Sequence, residues 1–287
     1  MADLLIQSPI WSFVLAALLG LILGSFFNVV IARLPRMMEL QWQRESAEAA
    51  GHPVPATEPF NLAVPRSHCP SCKATVAGYD NIPVLSWLLL RGRCRHCKTP
   101  ISALYPLVEI VSALIPVFCL AFFGINSLAL AYSLLLWFLL VLSVIDLKQM
   151  LLPDQLTLPL LWLGLLGSIT VLPLSAQDAI IGAVAGYLFL WALYWLFKLL
   201  TGKEGMGYGD FKLLAALGAW LGWQQLPLIL LLASAAGAVI GGTLLLMKKH
   251  QQGIPIPFGP FLVIGAVIAL LFGEQIYLWY WQWAGLV

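Results

Sequence analysis

Long apolar stretches separated by short polar connections dominate the chain and predict its helices. Eight stretches qualify, over residues 10–32, 103–123, 128–145, 156–172, 179–200, 211–221, 226–247 and 260–273. Most of them approach the roughly 20 residues that a membrane-spanning helix needs. Hydrophobic residues make up 61% of the sequence, charged residues 10%, and the mean hydropathy is +0.92. We therefore predict an all-α polytopic membrane protein with about eight transmembrane helices.

The positive charges indicate the orientation of these helices. All 15 lysines and arginines follow the first, third or seventh stretch or flank the connection between the fifth and sixth stretches. The positive-inside rule assigns that side to the cytoplasm, so both termini are predicted to lie outside. The first stretch has no preceding cation and is too long for a signal-peptide core, which favours a retained span. A net charge of +2 gives no reason to expect a nucleic-acid partner.

One connection, residues 33–102, is long enough to form a domain. The predicted organisation is thus a first transmembrane helix over 1–32, a cytoplasmic four-cysteine domain over 33–102 and a seven-helix membrane domain over 103–287. Residues 37–65 are polar and contain proline, which predicts a short amphipathic helix followed by a linker.

Two Cys-x-x-Cys pairs in this connection predict a metal site. They are Cys69 with Cys72 and Cys94 with Cys97, and 21 residues separate the pairs. This spacing is typical of four-cysteine zinc sites, and a metal would stabilise a loop too small to bury a large core. Unligated thiols are the alternative, whereas disulfides are disfavoured in a reducing cytoplasm.

Two carboxylates lie where a membrane makes them costly. Asp146 ends the third stretch, against the helix macrodipole, and Asp210 opens the short sixth stretch. Before Asp210, the three glycines of 205–209 would let the backbone take positive φ and come close to another chain, as a site for extended peptide would need. Two adjacent carboxylates that share a proton can act as an aspartic protease pair. The alternatives are an interfacial anchor beside Lys148 for Asp146 and a helix N-cap for Asp210.

Three further residues in or next to the apolar stretches have simpler interpretations. Asp154, just before the fourth stretch, is well placed to cap that helix, and a catalytic role is the less favoured alternative. Glu109 is either a hydrogen-bonding strut or part of the site, and Cys119 is a small packing residue. The short sixth stretch would place Asp210 deeper than Asp146, so helix tilting or unwinding would have to bring the pair level.

Several motifs together resemble one family, the type IV prepilin peptidases, which are bifunctional leader peptidases and N-methyltransferases. The matching segments are 24–30, 33–35, both cysteine pairs, 80–87, 91–94, 105–109, 205–212 and 257–260. The resemblance implies that Asp146 and Asp210 are catalytic and that Cys69, Cys72, Cys94 and Cys97 bind zinc.

The same resemblance implies a substrate, a second activity and a location. Prepilin and pseudopilin precursors would be cleaved after Gly in the bacterial inner membrane, with the catalytic side cytoplasmic and both termini periplasmic. Membrane lipid would surround the helices. S-adenosyl-L-methionine would then donate a methyl group to the new N-terminus, an activity that no sequence motif indicates independently.

One departure and two alternatives accompany this interpretation. Leu104 occupies a position where the family usually has arginine, which removes a guanidinium at the junction of loop and membrane. A proton-coupled transporter could also use paired aspartates, although the sequence contains no internal repeat. A non-catalytic assembly factor could use the cysteine loop for docking.

Overall fold

The computed structural model describes residues 9–52, 59–246 and 256–285, and in these ranges the backbone is almost entirely helical. The helices are α1 Pro9–Ala49, α2 Leu85–Leu89, α3 Leu104–Phe123, α4 Ser127–Gln149, α5 Asp154–Thr170, α6 Ala176–Thr201, α7 Tyr208–Leu221, α8 Leu226–Leu246 and α9 Gly259–Trp283. Short 3₁₀ turns occur at Gly78–Asn81 and Trp223–Gln225. Within the described ranges, extended pairing is limited to two isolated bridges, His68 with Thr75 and Arg93 with Pro100.

Each predicted apolar stretch corresponds to one helix, which confirms the all-α membrane class. Among the described residues, six helices are long and apolar enough to cross a membrane. The other two, α5 and α7, have only 17 and 14 residues, so a count of eight full spans is not confirmed. Residues 1–8 and 286–287, the predicted end of the seventh stretch at 247, and Lys248 and Lys249 lie outside the described residues.

Helix α1 continues well beyond its predicted end. A helix end near residue 32 and a separate short helix were expected, but α1 runs without interruption through Pro35 to Ala49. Proline removes one backbone hydrogen bond, and the helix beyond it is supported by polar pairs on its surface. Arg36 pairs with Glu39, and the side chain of Gln41 donates to Glu45 at 2.7 Å. The helix therefore continues through Pro35 with polar pairs on its surface.

The chain divides into two compact units, residues 1–141 and 142–287. In the first unit, α1 packs closely on α3 through positions four residues apart. A Cβ atom on Gly24 would lie only 2.7 Å from Glu109 Cα, and one on Gly20 would overlap the backbone of Ser112. One turn further along, Asn28 Nδ2 donates to the Tyr105 carbonyl at 3.0 Å. Small residues thus bring the two backbones together, as in many membrane helix pairs.

In the second unit, α7 occupies the centre, with α5, α6, α8 and α9 in contact with it. Ten of its 14 residues are buried, which explains why the helix is apolar on every side. Gly182 of α6 lies against the backbone of Gly218, and a Cβ on Gly186 would be 2.7 Å from the Leu214 carbonyl. Trp220 Nε1 donates to the Leu160 carbonyl at 2.8 Å and ties α7 to α5. This packing fixes the position of the first turn of α7.

Candidate functional site

Asp146 lies in the last turn of α4 and is 4% exposed. Its Oδ2 atom accepts a hydrogen bond from the backbone N–H of Gly259, the first residue of α9, at 3.0 Å. The neighbouring Lys148 is exposed and forms no ion pair within the described part of the chain. Asp146 is therefore buried and does not pair with Lys148 as an interfacial anchor would.

Asp210 is the third residue of α7 and is 7% exposed. The N-cap of α7 is Gly207, so the interpretation of Asp210 as a helix cap is wrong. Its Oδ1 atom is buried and has no hydrogen-bond partner among the described residues, and its carboxyl group interacts electrostatically with that of Asp146. A buried polar oxygen without a partner is costly and calls for a functional explanation.

Asp146 and Asp210 both lie at helix ends. The sequence placed Asp210 deeper than Asp146, on the view that the short sixth stretch begins within the membrane. In the structure, Asp146 belongs to the last turn of α4 and Asp210 to the first turn of α7. Both helices are continuous at these residues, so the expected unwinding is not seen there.

Two glycines allow close packing around the aspartates, Gly259 against the Asp146 carboxylate and Gly209 against Leu152. A Cβ atom on Gly259 would lie 2.6 Å from Asp146 Oδ2, and one on Gly209 would lie 2.7 Å from Leu152 Cβ. Leu152 also approaches the Gly259 position to 3.3 Å, so its side chain packs between the two glycines. Among the described residues, positive φ angles do not occur at positions 205, 207 or 209, which corrects that expectation. Gly209 serves close packing instead, and no role was predicted for Gly259, although it lies in the matching segment 257–260.

Asp154 has a different role from the one predicted. It is the first residue of α5, whose N-cap is Pro153, and it does not cap the helix. Both of its carboxylate oxygens lie 2.7 Å from Lys212 Nζ, two residues beyond Asp210. The pair joins the start of α5 to the first turn of α7. Asp154 therefore supports the helix that carries Asp210.

Glu109 acts as a strut within the first unit. It is 9% exposed, and its Oε2 atom accepts a hydrogen bond from the backbone N–H of Val84 at 2.8 Å. Ser25 and Asn28 of α1 also hydrogen-bond to this carboxylate. Glu109 thus connects the loop before α2 to both α1 and α3, which favours the first of its two predicted roles.

The four predicted cysteines form one cluster. Their sulfur atoms all lie within 4.8 Å of one another, with Cys69 and Cys97 3.7 Å apart and Cys72 and Cys94 4.0 Å apart. These distances exceed the roughly 2.05 Å of a disulfide. Four thiolates placed tetrahedrally at about 2.3 Å from a zinc ion would be about 3.8 Å apart. The cluster has the dimensions of a site that could hold a metal ion.

The two cysteine pairs have the same backbone geometry. The N–H groups of Cys69 and Cys94 each donate at 2.9 Å to the carbonyl five residues later. The lysine after each second cysteine, Lys73 or Lys98, has a φ angle of 59°. A hydrogen bond from the Thr99 hydroxyl lowers the pKa of the Cys97 thiol, whereas burial and the neighbouring cysteine thiols raise the pKa of the Cys72 thiol. The repeated Cys-Lys step in the sequence was the overlooked signal for these matched turns.

These features define a multi-pass helical membrane protein with a buried pair of carboxylates and a separate four-thiol cluster. Two family models match the chain: the bacterial peptidase A24 N-terminal domain over residues 18–123 and the type IV leader peptidase family over residues 133–242. The chain belongs to the type IV prepilin leader peptidase/N-methyltransferase family. No solved structure matches it.

Relatives named prepilin leader peptidase/N-methyltransferase cover almost the whole sequence. The protein of Aeromonas hydrophila is 57% identical, with 93% of each chain covered. That of Stutzerimonas stutzeri is 54% identical over 99% of each chain, and that of Pseudomonas aeruginosa is 51% identical over 99% of this chain and 98% of its own. The resemblance predicted from the motifs is confirmed. Neither the transporter nor the assembly-factor alternative finds support in these relatives.

Proposed function

We propose that this protein is a membrane aspartic endopeptidase that removes prepilin leaders after Gly, with Asp146 and Asp210 as the catalytic pair. The observation that carries the assignment is the interaction of two buried carboxylates at adjoining helix ends. One carboxylate oxygen is held by the Gly259 N–H, and one, on Asp210, has no partner within the described ranges. The names of the relatives supply the prepilin substrate.

The chemistry follows from the pair sharing one proton, because two adjacent carboxylates cannot both ionise cheaply. The ionised member takes a proton from water, and the water oxygen attacks the carbonyl carbon of the Gly at the cleavage site. The protonated member hydrogen-bonds the carbonyl oxygen as negative charge develops there. The tetrahedral intermediate collapses when the C–N bond breaks and the leaving nitrogen takes a proton from the pair. The products are the free leader carboxylate and a new N-terminal amine.

The cation distribution supports an orientation for this reaction. In the proposed arrangement the protein lies in the bacterial inner membrane, with both termini periplasmic and the ends of α4 and α7 that carry the aspartates on the cytoplasmic side. Basic leaders of prepilins and pseudopilins, which remain in the cytoplasm, would then reach the pair while their apolar segments stay in the membrane. Residues 1–32, 33–102 and 103–287 are the proposed anchor, cysteine domain and peptidase domain.

Two further proposals concern zinc and methyl transfer. Cys69, Cys72, Cys94 and Cys97 would bind zinc as four thiolates, and the ion would stabilise the fold of their loop. The names of the relatives also support methylation of the new N-terminal amine with S-adenosyl-L-methionine as donor. We assign no residue to that donor.

Cleavage of a purified prepilin by the full-length protein tests the peptidase assignment. Asp146→Asn and Asp210→Asn keep the side-chain size but prevent proton sharing, so each should abolish leader removal, read as product mass. The double variant should be scarcely worse than either single one, because the two residues act as a unit. Glu274→Gln, at an exposed carboxylate, is the matched control and should keep full activity. Normal cleavage by either Asn variant would refute the assignment.

A further inference from the structure

The short helix α2 carries an apolar face that no other described element covers. Leu85, Leu88 and Leu89 lie on this face, and Leu88 and Leu89 are 58% and 74% exposed. On the opposite side, Ser86 is buried and donates to the Tyr79 carbonyl at 2.9 Å. Neighbouring exposed leucines on one side of a helix mark an interaction surface.

Two hydrogen bonds place α2 at the level where α3 leaves the membrane. Val84, the N-cap of α2, donates its backbone N–H to Glu109, the sixth residue of the candidate span α3. At 1.5 Å per residue, Glu109 lies only about 8 Å along α3 from its start. Trp87 Nε1 donates at 3.2 Å to the carbonyl of Ile101, just before α3. The apolar face of α2 is therefore held at the boundary of the membrane.

Positive charge adjoins this face. A concave site of about 460 Å³ is lined by Leu89, Leu90, Arg91, Arg93 and Lys98. None of its three cations forms an ion pair within the described residues. Leucines next to unpaired cations at a membrane boundary match the chemistry of an interfacial segment on anionic lipid, with acyl chains beneath and phosphates alongside.

We propose that α2 and the adjoining concave site form a docking site for anionic phospholipid, which holds the cysteine loop against the membrane surface. Leu85, Leu88 and Leu89 enter the boundary between head groups and acyl chains. Arg91, Arg93 and Lys98 contact the head-group phosphate. This role is independent of the peptidase assignment, since it involves neither aspartate.

Lipid binding by the detergent-solubilised full-length protein tests the cationic half of the site. Native mass spectrometry would titrate phosphatidylglycerol against phosphatidylcholine. Each cation near an anionic surface contributes about fivefold to affinity, so Arg91→Gln with Lys98→Gln should weaken phosphatidylglycerol binding roughly 30-fold and leave phosphatidylcholine binding unchanged. The matched control is Arg66→Gln with Lys73→Gln, because Lys73 has the same φ angle as Lys98 but lies outside the concave site.

A photo-reactive residue in place of Leu89 tests the apolar half in vesicles that contain phosphatidylglycerol and a prepilin. Adducts with the mass of a phospholipid are the expected result. Adducts on the prepilin instead would assign the face to the substrate and overturn the proposal. Equal loss of phosphatidylglycerol binding in the two double variants would also overturn it, because the effect would then be one of net charge. Unchanged zinc content in each variant would show that the loop remains folded.

Discussion

Replacement of Gly259 by alanine is the sharpest test of the carboxylate geometry. The added Cβ atom would lie 2.6 Å from Asp146 Oδ2, whereas ordinary contacts of this kind begin near 3.4 Å. Since Leu152 approaches the same position to 3.3 Å, the Cβ atom has no free space to move into. The Asp146 carboxylate must therefore shift by most of the difference, about 0.8 Å.

The expected loss follows from how strongly catalysis depends on position. A misplacement of about 1 Å can reduce a reaction rate about 10²-fold, so Gly259→Ala should lower kcat/KM for prepilin cleavage on the order of 10²-fold. This corresponds to about 2.7 kcal/mol of lost transition-state stabilisation. The Gly259 φ angle is not positive, so alanine imposes no backbone strain there.

Two other glycine variants serve as controls for Gly259→Ala. A Cβ on Gly207 would meet Asp210 Oδ2 at 3.7 Å, an ordinary contact, and Gly207→Ala should stay within a few-fold of the wild type. A Cβ on Gly242 of α8 would meet nothing within 4 Å, so Gly242→Ala should be fully active. Thermal unfolding of all three proteins would separate displacement from misfolding. A folded Gly259→Ala protein as active as Gly242→Ala would refute the reasoning.

The remaining predictions concern the metal, the topology and the pair beside the site. Cys94→Ser should lose a metal ligand and reduce zinc from about one equivalent to nearly none by elemental analysis, while Cys119→Ser should retain it. Zinc-free wild-type protein prepared without chelators would contradict this. A reporter fused at Asp178 should read periplasmic, and a cytoplasmic signal there would contradict the proposed orientation. Asp154→Asn should reduce cleavage only a few-fold, because partly exposed ion pairs contribute at most about 1 kcal/mol. Adding Lys212→Gln to that variant should cost little more, whereas fully additive losses would show that the two residues act separately.

The sequence predicted correctly those features that depend on residues close together in the chain. Apolar runs located the long helices, and the Cys-x-x-Cys spacing identified all four thiols that cluster in the structure. The first helix was the exception. Proline normally limits a helix, but α1 passes through Pro35 and continues on a surface of polar pairs. Such pairs are weak individually and are easily overlooked in a polar segment.

Contacts between distant residues were the part that the sequence did not reveal. Asp154 is a preferred residue type for a helix cap and lies next to a helix start. Its partner is nevertheless Lys212, 58 residues away. Gly259 lies 113 residues from the Asp146 carboxylate to which it donates. A single sequence contains no measure of such distances. The pairing of Asp146 with Asp210 was inferred from the free-energy cost of placing carboxylates in a membrane. That cost indicates a function but gives no geometry.

The length of α1 has a consequence for the loop that follows it. Its 41 residues extend about 60 Å, twice the roughly 30 Å hydrocarbon thickness, so its polar half projects far from the bilayer. Arg33, near the middle, donates to the carbonyls of Asn61 at 3.0 Å and Pro65 at 2.6 Å. Arg33 therefore fastens the start of the cysteine loop directly to the middle of α1.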